Sequence, residues 1–150
     1  MTSAAIITST HSAETLLGGR TALGGKPRTL LDWVSLIRHG IAASALASLA
    51  AALQITQTEL AAALGIPERT LARRRREGSL NSEESAKALR LARVISRAEE
   101  VFSGIDAARD WLKTPNTALL RMTPLSLLDT DIGAESVMDT LGRIEHGVFA

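Results

Sequence analysis

Thr56-Gln57-Thr58-Glu59-Leu60-Ala61-Ala62-Ala63-Leu64-Gly65-Ile66-Pro67-Glu68-Arg69-Thr70-Leu71-Ala72-Arg73-Arg74-Arg75-Arg76-Glu77-Gly78 is the stretch on which the fold turns. It opens with a Thr-x-x-Glu capping box, in which the Thr56 hydroxyl serves one orphan amide of a new helix and Glu59 reaches back to another. Gly65 ends that helix by permitting a positive φ. Pro67 suits the first turn of the next helix, where its missing amide proton goes unused. Ala61 is small where two helices cross closely, and Leu60, Leu64, Ile66 and Leu71 form the apolar wedge between them. The spacing predicts a helix-turn-helix whose second helix covers residues 68 to 76. Glu68, Arg69, Ala72, Arg73 and Arg76 recur on its outer side. Such a helix fits the major groove of DNA, where Arg bonds guanine O6 and N7 while other side chains hold phosphates. Glu68, Arg69, Thr70, Arg73, Arg75 and Arg76 are the candidate DNA contacts. The alternative is a helical hairpin whose arginines merely solvate it. Arg74 stands where such motifs place an apolar packing residue, so the end of this helix is expected to be frayed or packed differently.

Outward from this motif the chain reads as all-α. Ala and Leu dominate, β-branched runs are scarce, and turn signals arrive at helix-like intervals. Residues 1 to 28 are rich in Ser, Thr, Ala and Gly, with Gly18-Gly19 and Gly24-Gly25 pairs, and read as a flexible arm with at most one short helix near residues 12 to 17. Residues 29 to 80 read as a helix-turn-helix domain. Within it Trp33, Leu36 and Ile37 lie at i, i+3, i+4, and a second helix starts near Ser44 with Leu46, Leu49, Ala50 and Leu53 on one side. Residues 81 to 150 read as a small second helical domain. Asn81-Ser82 before Glu83-Glu84 starts a helix that runs to about residue 103. Leu91, Ile95, Ala98 and Phe102 line one face of it, and Lys87, Arg90, Arg93 and Arg97 share another. That basic row either touches phosphates or is a solvated face paired with Glu83 and Glu100. A short helix over residues 105 to 112 follows, then a loop punctuated by Pro115 and Pro124. A last helix over about 134 to 146 buries Val137, Met138, Leu141 and Ile144.

The 150 residues suit one domain or two small ones, and the chain has no cysteine, which excludes disulfides, thiolate metal sites and cysteine nucleophiles. The start lacks a signal-peptide pattern, and the longest charge-free apolar stretch, residues 41 to 53, is shorter than the roughly 20 residues a spanning helix needs. A soluble, cytoplasmic chain that binds no membrane is the expectation. The net charge of +1 conceals an asymmetry. Residues 66 to 97 carry nine basic and four acidic groups, whereas residues 98 to 150 carry four and nine. A polyanion partner therefore suits the middle of the chain and a different partner suits the acidic end. One helix-turn-helix half-site is a small interface of about 600 to 1,000 Å², so useful specificity calls for a homodimer reading two half-sites about 34 Å apart.

The acidic end shows no catalytic set. His11, His39 and His146 are far apart in sequence, and Asp106, Asp110, Asp129, Asp131, Glu135 and Asp139 follow no calcium-loop pattern. No enzyme, cofactor or metal site is expected. Phe149 lies in a short tail after Gly147, from which an aromatic does not easily reach a core. It reads either as an anchor that orders on a partner or as simple fraying.

Residues 60 to 78, Thr114-Pro115-Asn116, Ala118-Leu119, Thr123-Pro124-Leu125-Ser126-Leu127-Leu128, Gly133 and Leu141-Gly142-Arg143-Ile144-Glu145-His146-Gly147-Val148 together resemble the Xre-type antitoxins of the MbcA/ParS/Xre family, which pair with RES-domain toxins. The resemblance covers about residues 29 to 150. It implies an antitoxin whose C-terminal domain binds and blocks an NAD-degrading RES-domain toxin, while its N-terminal half represses the shared operon by binding operator DNA. It also implies toxin contacts at Pro115, Asn116, Arg143, Glu145, His146, Gly147, Val148 and Phe149. Asp139 and Arg143 could equally form an ordinary i, i+4 pair. Leu120-Arg121-Met122 departs from relatives that often carry glycines there. The rival reading is a stand-alone repressor whose C-terminal domain dimerises or senses a ligand.

Overall fold

A computed structural model describes residues 12–147. Among them the chain is helical, and its β-structure is confined to two isolated bridges, Ala42 with Ser79 and Asn116 with Met122. The helices are α1 (Ala13–Leu16), α2 (Gly19–Leu23), α3 (Leu30–His39), α4 (Ser44–Leu53), α5 (Gln57–Leu64), α6 (Glu68–Glu77), α7 (Ser82–Phe102), α8 (Ile105–Leu112) and α9 (Asp131–Glu145). Two 3-10 turns, Thr117–Leu119 and Pro124–Leu127, lie between α8 and α9.

Local chemistry sets most of these boundaries. Thr29, Thr56 and Asn81 each cap a helix reciprocally with the residue at the third helical position, Asp32, Glu59 and Glu84. The backbone amides of Arg28 and Thr29 hold the Asp32 carboxyl below its ordinary pKa, and the Thr56 amide does the same for Glu59. Thr130 caps α9, which starts three residues earlier than its apolar pattern suggests.

The short helix expected near residues 12 to 17 is present as α1, but the flexible arm around it does not describe residues 12 to 23. They form α1 and α2, and Leu16, Leu17, Ala22 and Leu23 are buried. The glycines that read as breakers act as punctuation: Gly18 and Gly24 take φ of 106° and 71°, one opening α2 and the other closing it. The rest of the arm expectation, residues 1 to 11, lies outside the described residues.

α7 is the axis of the molecule, packing against α1, α3, α5, α8 and α9. Its leucine, valine, isoleucine and alanine face is continuous with Leu46, Leu49 and Leu53 of α4 and with Val137 and Leu141 of α9 in one apolar core. That core runs across residue 80. Met138 and Ile144, expected in the core, are only half-buried. α3 packs on α7 through Trp33, Leu36 and Ile37, and leaves Leu30 and Leu31 each 78% exposed. No helix among the described residues is long and apolar enough to cross a membrane.

Candidate DNA and partner interfaces

α5, a three-residue turn and α6 form the expected helix-turn-helix. Leu60, Ala61, Leu64, Ile66 and Leu71 are buried at their crossing. Gly65 has a φ of 67°, and a Cβ there would stand 3.1 Å from the Asp129 carbonyl oxygen, so the turn is backed closely by the chain entering α9. Lys87 Nζ donates to the Gly65 carbonyl at 3.3 Å from the other side.

α6 sorts its arginines by direction. Arg69, Arg73, Arg75 and Arg76 are exposed, while the Arg74 side chain is only 19% exposed. Arg74 Nε donates to Glu84 Oε1 at 2.7 Å and its Nη1 donates to Glu77 Oε1 at 2.9 Å. The end of the helix is thus not frayed: an ion pair replaces the apolar packing residue, and α6 continues to Glu77. Burial pushes the Glu84 carboxyl up, but the Arg74 guanidinium and the Asn81 amide outweigh it and hold it below the ordinary range. The two carboxylates raise Arg74 further above its already high value.

Among the candidate DNA contacts, Arg69, Arg73 and Arg76 share one exposed face by their 4 and 3 residue steps, and Thr70 is half-buried beside it. Arg73 lies 3.9 Å from Glu77 in an exposed pair. Arg75 points toward α5, its Nη1 donating to Gln57 Oε1 at 2.5 Å, and Glu68 accepts from Thr58 Oγ1 at 2.9 Å. Gln57 and Thr58, at the positive end of α5, thus join the same edge. Sequence reading missed them because they fill the two variable positions between Thr56 and Glu59 of the capping box, where spacing assigns no role.

The basic row on α7 keeps the expected pairs, Lys87 with Glu83 at 3.6 Å and Arg97 with Glu100, but two of its arginines also reach across to the C-terminal residues. Arg90 binds Asp131 through Nη1 and the Leu128 carbonyl through Nη2, the latter at 3.0 Å. Arg97 donates to Glu145 at 2.5 and 3.0 Å and to Glu100 at 2.6 Å. Arg109 Nε binds the Ala52 carbonyl at 3.0 Å, and Lys113 Nζ the Leu53 and Gln54 carbonyls at 3.1 Å, so two cations sit at the negative end of α4. These bonds tie the C-terminal residues to the N-terminal ones.

The proposed toxin contacts divide. Pro115 is exposed. Asn116 works within the chain: its Oδ1 accepts from the Ala118 amide at 2.8 Å, its amide donates to the Met122 carbonyl at 3.0 Å, and its carbonyl accepts from the Arg121 amide at 2.8 Å. Glu145 is engaged by Arg97, which lowers its pKa, and is less available to a partner than the sequence suggested. Arg143, His146 and Gly147 are exposed. Val148 and Phe149 lie outside the described residues. A concavity of about 330 Å³ between the 116–122 loop and α9 is lined by Leu119, Leu120, Met122, Asp139 and Arg143 among others. A second, of about 360 Å³, continues from Asp139 and Arg143 past Gly142 to His146. Among the described residues no group of His, Asp and Glu is placed to hold a metal ion.

Known proteins show the same two parts. Residues 32–93 match the Antitoxin Xre-like helix-turn-helix domain, and residues 97–147 match the Antitoxin Xre/MbcA/ParS C-terminal toxin-binding domain. The two matches meet inside α7. A protein named Antitoxin Xre from Yersinia enterocolitica is 39% identical over 119 residues, which is 78% of this chain and 80% of the relative. Another Antitoxin Xre, from Photorhabdus laumondii, is 41% identical over 88 residues, 57% of this chain and 60% of that protein. A Sphingobium protein named Prs ADP-ribosylating antitoxin is 32% identical over 130 residues, covering 80% of this chain and 82% of its own length. With a helix-turn-helix and a toxin-binding domain built on one core, the chain belongs to the Xre antitoxin family.

Proposed function

We propose that this antitoxin neutralises a RES-domain, NAD-degrading toxin in the cytoplasm by covering its nucleotide pocket with the face formed by the 115–122 loop, the outer side of α9 and the tail from Gly147. As a homodimer it would also repress its own operon by placing two α6 helices in successive major grooves. Neutralisation by exclusion needs no chemistry from the chain, only tighter occupancy of the site than substrate achieves. No enzymatic role is assigned to it.

The observation that carries the reading is the sorting of the α6 arginines. Arg74 is turned inward and paired, while Arg69, Arg73 and Arg76 remain outside on one face. A solvated hairpin has no need of that division. Arg75, beside Gln57 at the positive end of α5, suits a phosphate, and Arg73 suits a base edge. Fluorescence anisotropy with the operon's own promoter at several salt concentrations tests this. Arg73→Ala relaxes base preference, whereas Arg75→Ala weakens all sequences alike and lowers the salt slope by about one. Removal of residues 147–150 leaves promoter binding intact and lowers neutralisation. Unchanged inhibition by the shortened chain would remove the tail from the mechanism.

The Sphingobium relative is itself named an ADP-ribosylating antitoxin, and on that name we propose ADP-ribosyl transfer as a second chemistry for the system's toxin. Radiolabel carried from NAD onto a protein, rather than into free ADP-ribose alone, separates the two.

A further inference from the structure

The 116–122 loop holds two consecutive non-glycine residues, Leu120 and Arg121, in the left-handed region with φ of 56° and 66°. Side chains are disfavoured there, and neither leucine nor arginine is among the residues, Gly, Asn and Asp, that visit it routinely. Leu120 gains nothing within the chain in return: it is 86% exposed, with Met122 beside it at 45%. The loop is nonetheless pinned. Asn116 clasps it through the Ala118, Arg121 and Met122 backbone, and Leu119 is buried beneath it. A rigid turn thus carries an outward leucine at its tip.

Its surroundings say what it faces. Ile132, Ser136, Asp139, Arg143 and His146 follow one another at helical steps along the exposed side of α9. The concavity under Leu120 and Met122 is continuous with that side through Asp139 and Arg143. The whole surface lies within the residues matched to the toxin-binding domain.

We propose that Leu120 is a specificity-determining contact of this antitoxin: presented by a pre-set left-handed turn, it enters an apolar socket on the toxin, with acidic toxin groups opposite Arg121 and Arg143. Because the turn is already ordered, docking loses little conformational freedom, and an apolar anchor in a pocket is the kind of contact that dominates protein interfaces. The inference rests on the toxin-covering reading above and sharpens it to one side chain.

Leu120→Gly is the informative substitution, since glycine accepts the left-handed turn and deletes the anchor. The thermal midpoint of the variant stays level or rises. Its affinity for the purified toxin encoded beside the antitoxin gene, measured by biolayer interferometry, falls about tenfold or more, chiefly through faster dissociation. Leu120→Ala, which keeps the Cβ, falls between the two. Leu31→Ser, an equally exposed leucine on α3, stays within twofold of the wild type. If the wild type binds and Leu120→Gly binds within twofold of it, this inference fails and the toxin-covering reading stands. If the wild type itself does not bind, both fail. Loss of self-association by Leu120→Gly, seen by light scattering with toxin binding intact, would also overturn the inference by assigning the leucine to a second copy of the chain.

Discussion

Glu84 Oε1 accepts from the Arg74 guanidinium and from the Asn81 amide, so one carboxylate both starts α7 and steadies the end of α6. Its pKa is held below the ordinary 4.5, as are those of Glu59 and Glu145. A carboxyl whose folded pKa is depressed adds stability that is present above its unfolded pKa and is lost as pH falls through the folded value. Stability of the wild type should therefore be level above about pH 5 and decline progressively below the ordinary carboxylate range. Glu84→Gln keeps the size but removes the charge. It should lower unfolding free energy at pH 7 by about 1.5–3 kcal/mol and flatten the acid limb, read by urea melts at pH 3 to 7. Gly133 makes a second prediction at this scale. A Cβ there would fall 1.8 Å from the Leu127 carbonyl oxygen, so Gly133→Ala must push α9 from the preceding 3-10 turn. A loss of about 1–3 kcal/mol in a thermal or urea melt is expected, with wild-type stability as the contrary result.

At the scale of the element, legibility followed locality. α4, α5, α6 and α8 could be read from capping boxes, glycine stops and apolar spacing because those signals act within a few residues. α2 could not, and α1 was legible only as a short helix in a loose arm, since two glycine pairs suggest a mobile segment and only contact with α4 and α7 gives Leu16 and Leu17 something to bury against. The basic row on α7 was visible, but its purpose was not. Arg90 meets Asp131 and Arg97 meets Glu145 across more than forty residues of chain, which no periodicity displays. Likewise Arg74 looked anomalous until Glu84 was found beside it. The Arg97 pair has a measurable role: Arg97→Ala should speed amide hydrogen exchange in the last turn of α9, around residues 142 to 146. Global stability should change by no more than about 1 kcal/mol, as for other partly exposed pairs. Unaltered exchange there would show that the pair does not hold the turn.

Across the whole molecule, the helix-turn-helix and toxin-binding parts share one core through α7. Residue 80 looked like a boundary because the composition shifts there from basic hairpin to long amphipathic helix, yet the apolar face of α7 completes the packing of α4 and α5. Heat or urea should then give one cooperative transition, with circular dichroism and tryptophan fluorescence coinciding, since Trp33 and Trp111 lie on opposite sides of α7 in sequence. A fragment ending at Leu80 should not fold by itself. Two separated transitions, or a folded fragment, would show independent units.

The division of labour on that single body is tested most directly by one paired assay on the Arg73→Ala/Arg76→Ala variant. Promoter binding by anisotropy and NAD loss catalysed by the purified neighbouring toxin are measured on the same preparation. The account predicts at least about tenfold weaker promoter binding with toxin inhibition equal to that of the wild type. Promoter binding unchanged by the double substitution, or a wild-type chain that leaves NAD loss undiminished, would contradict it.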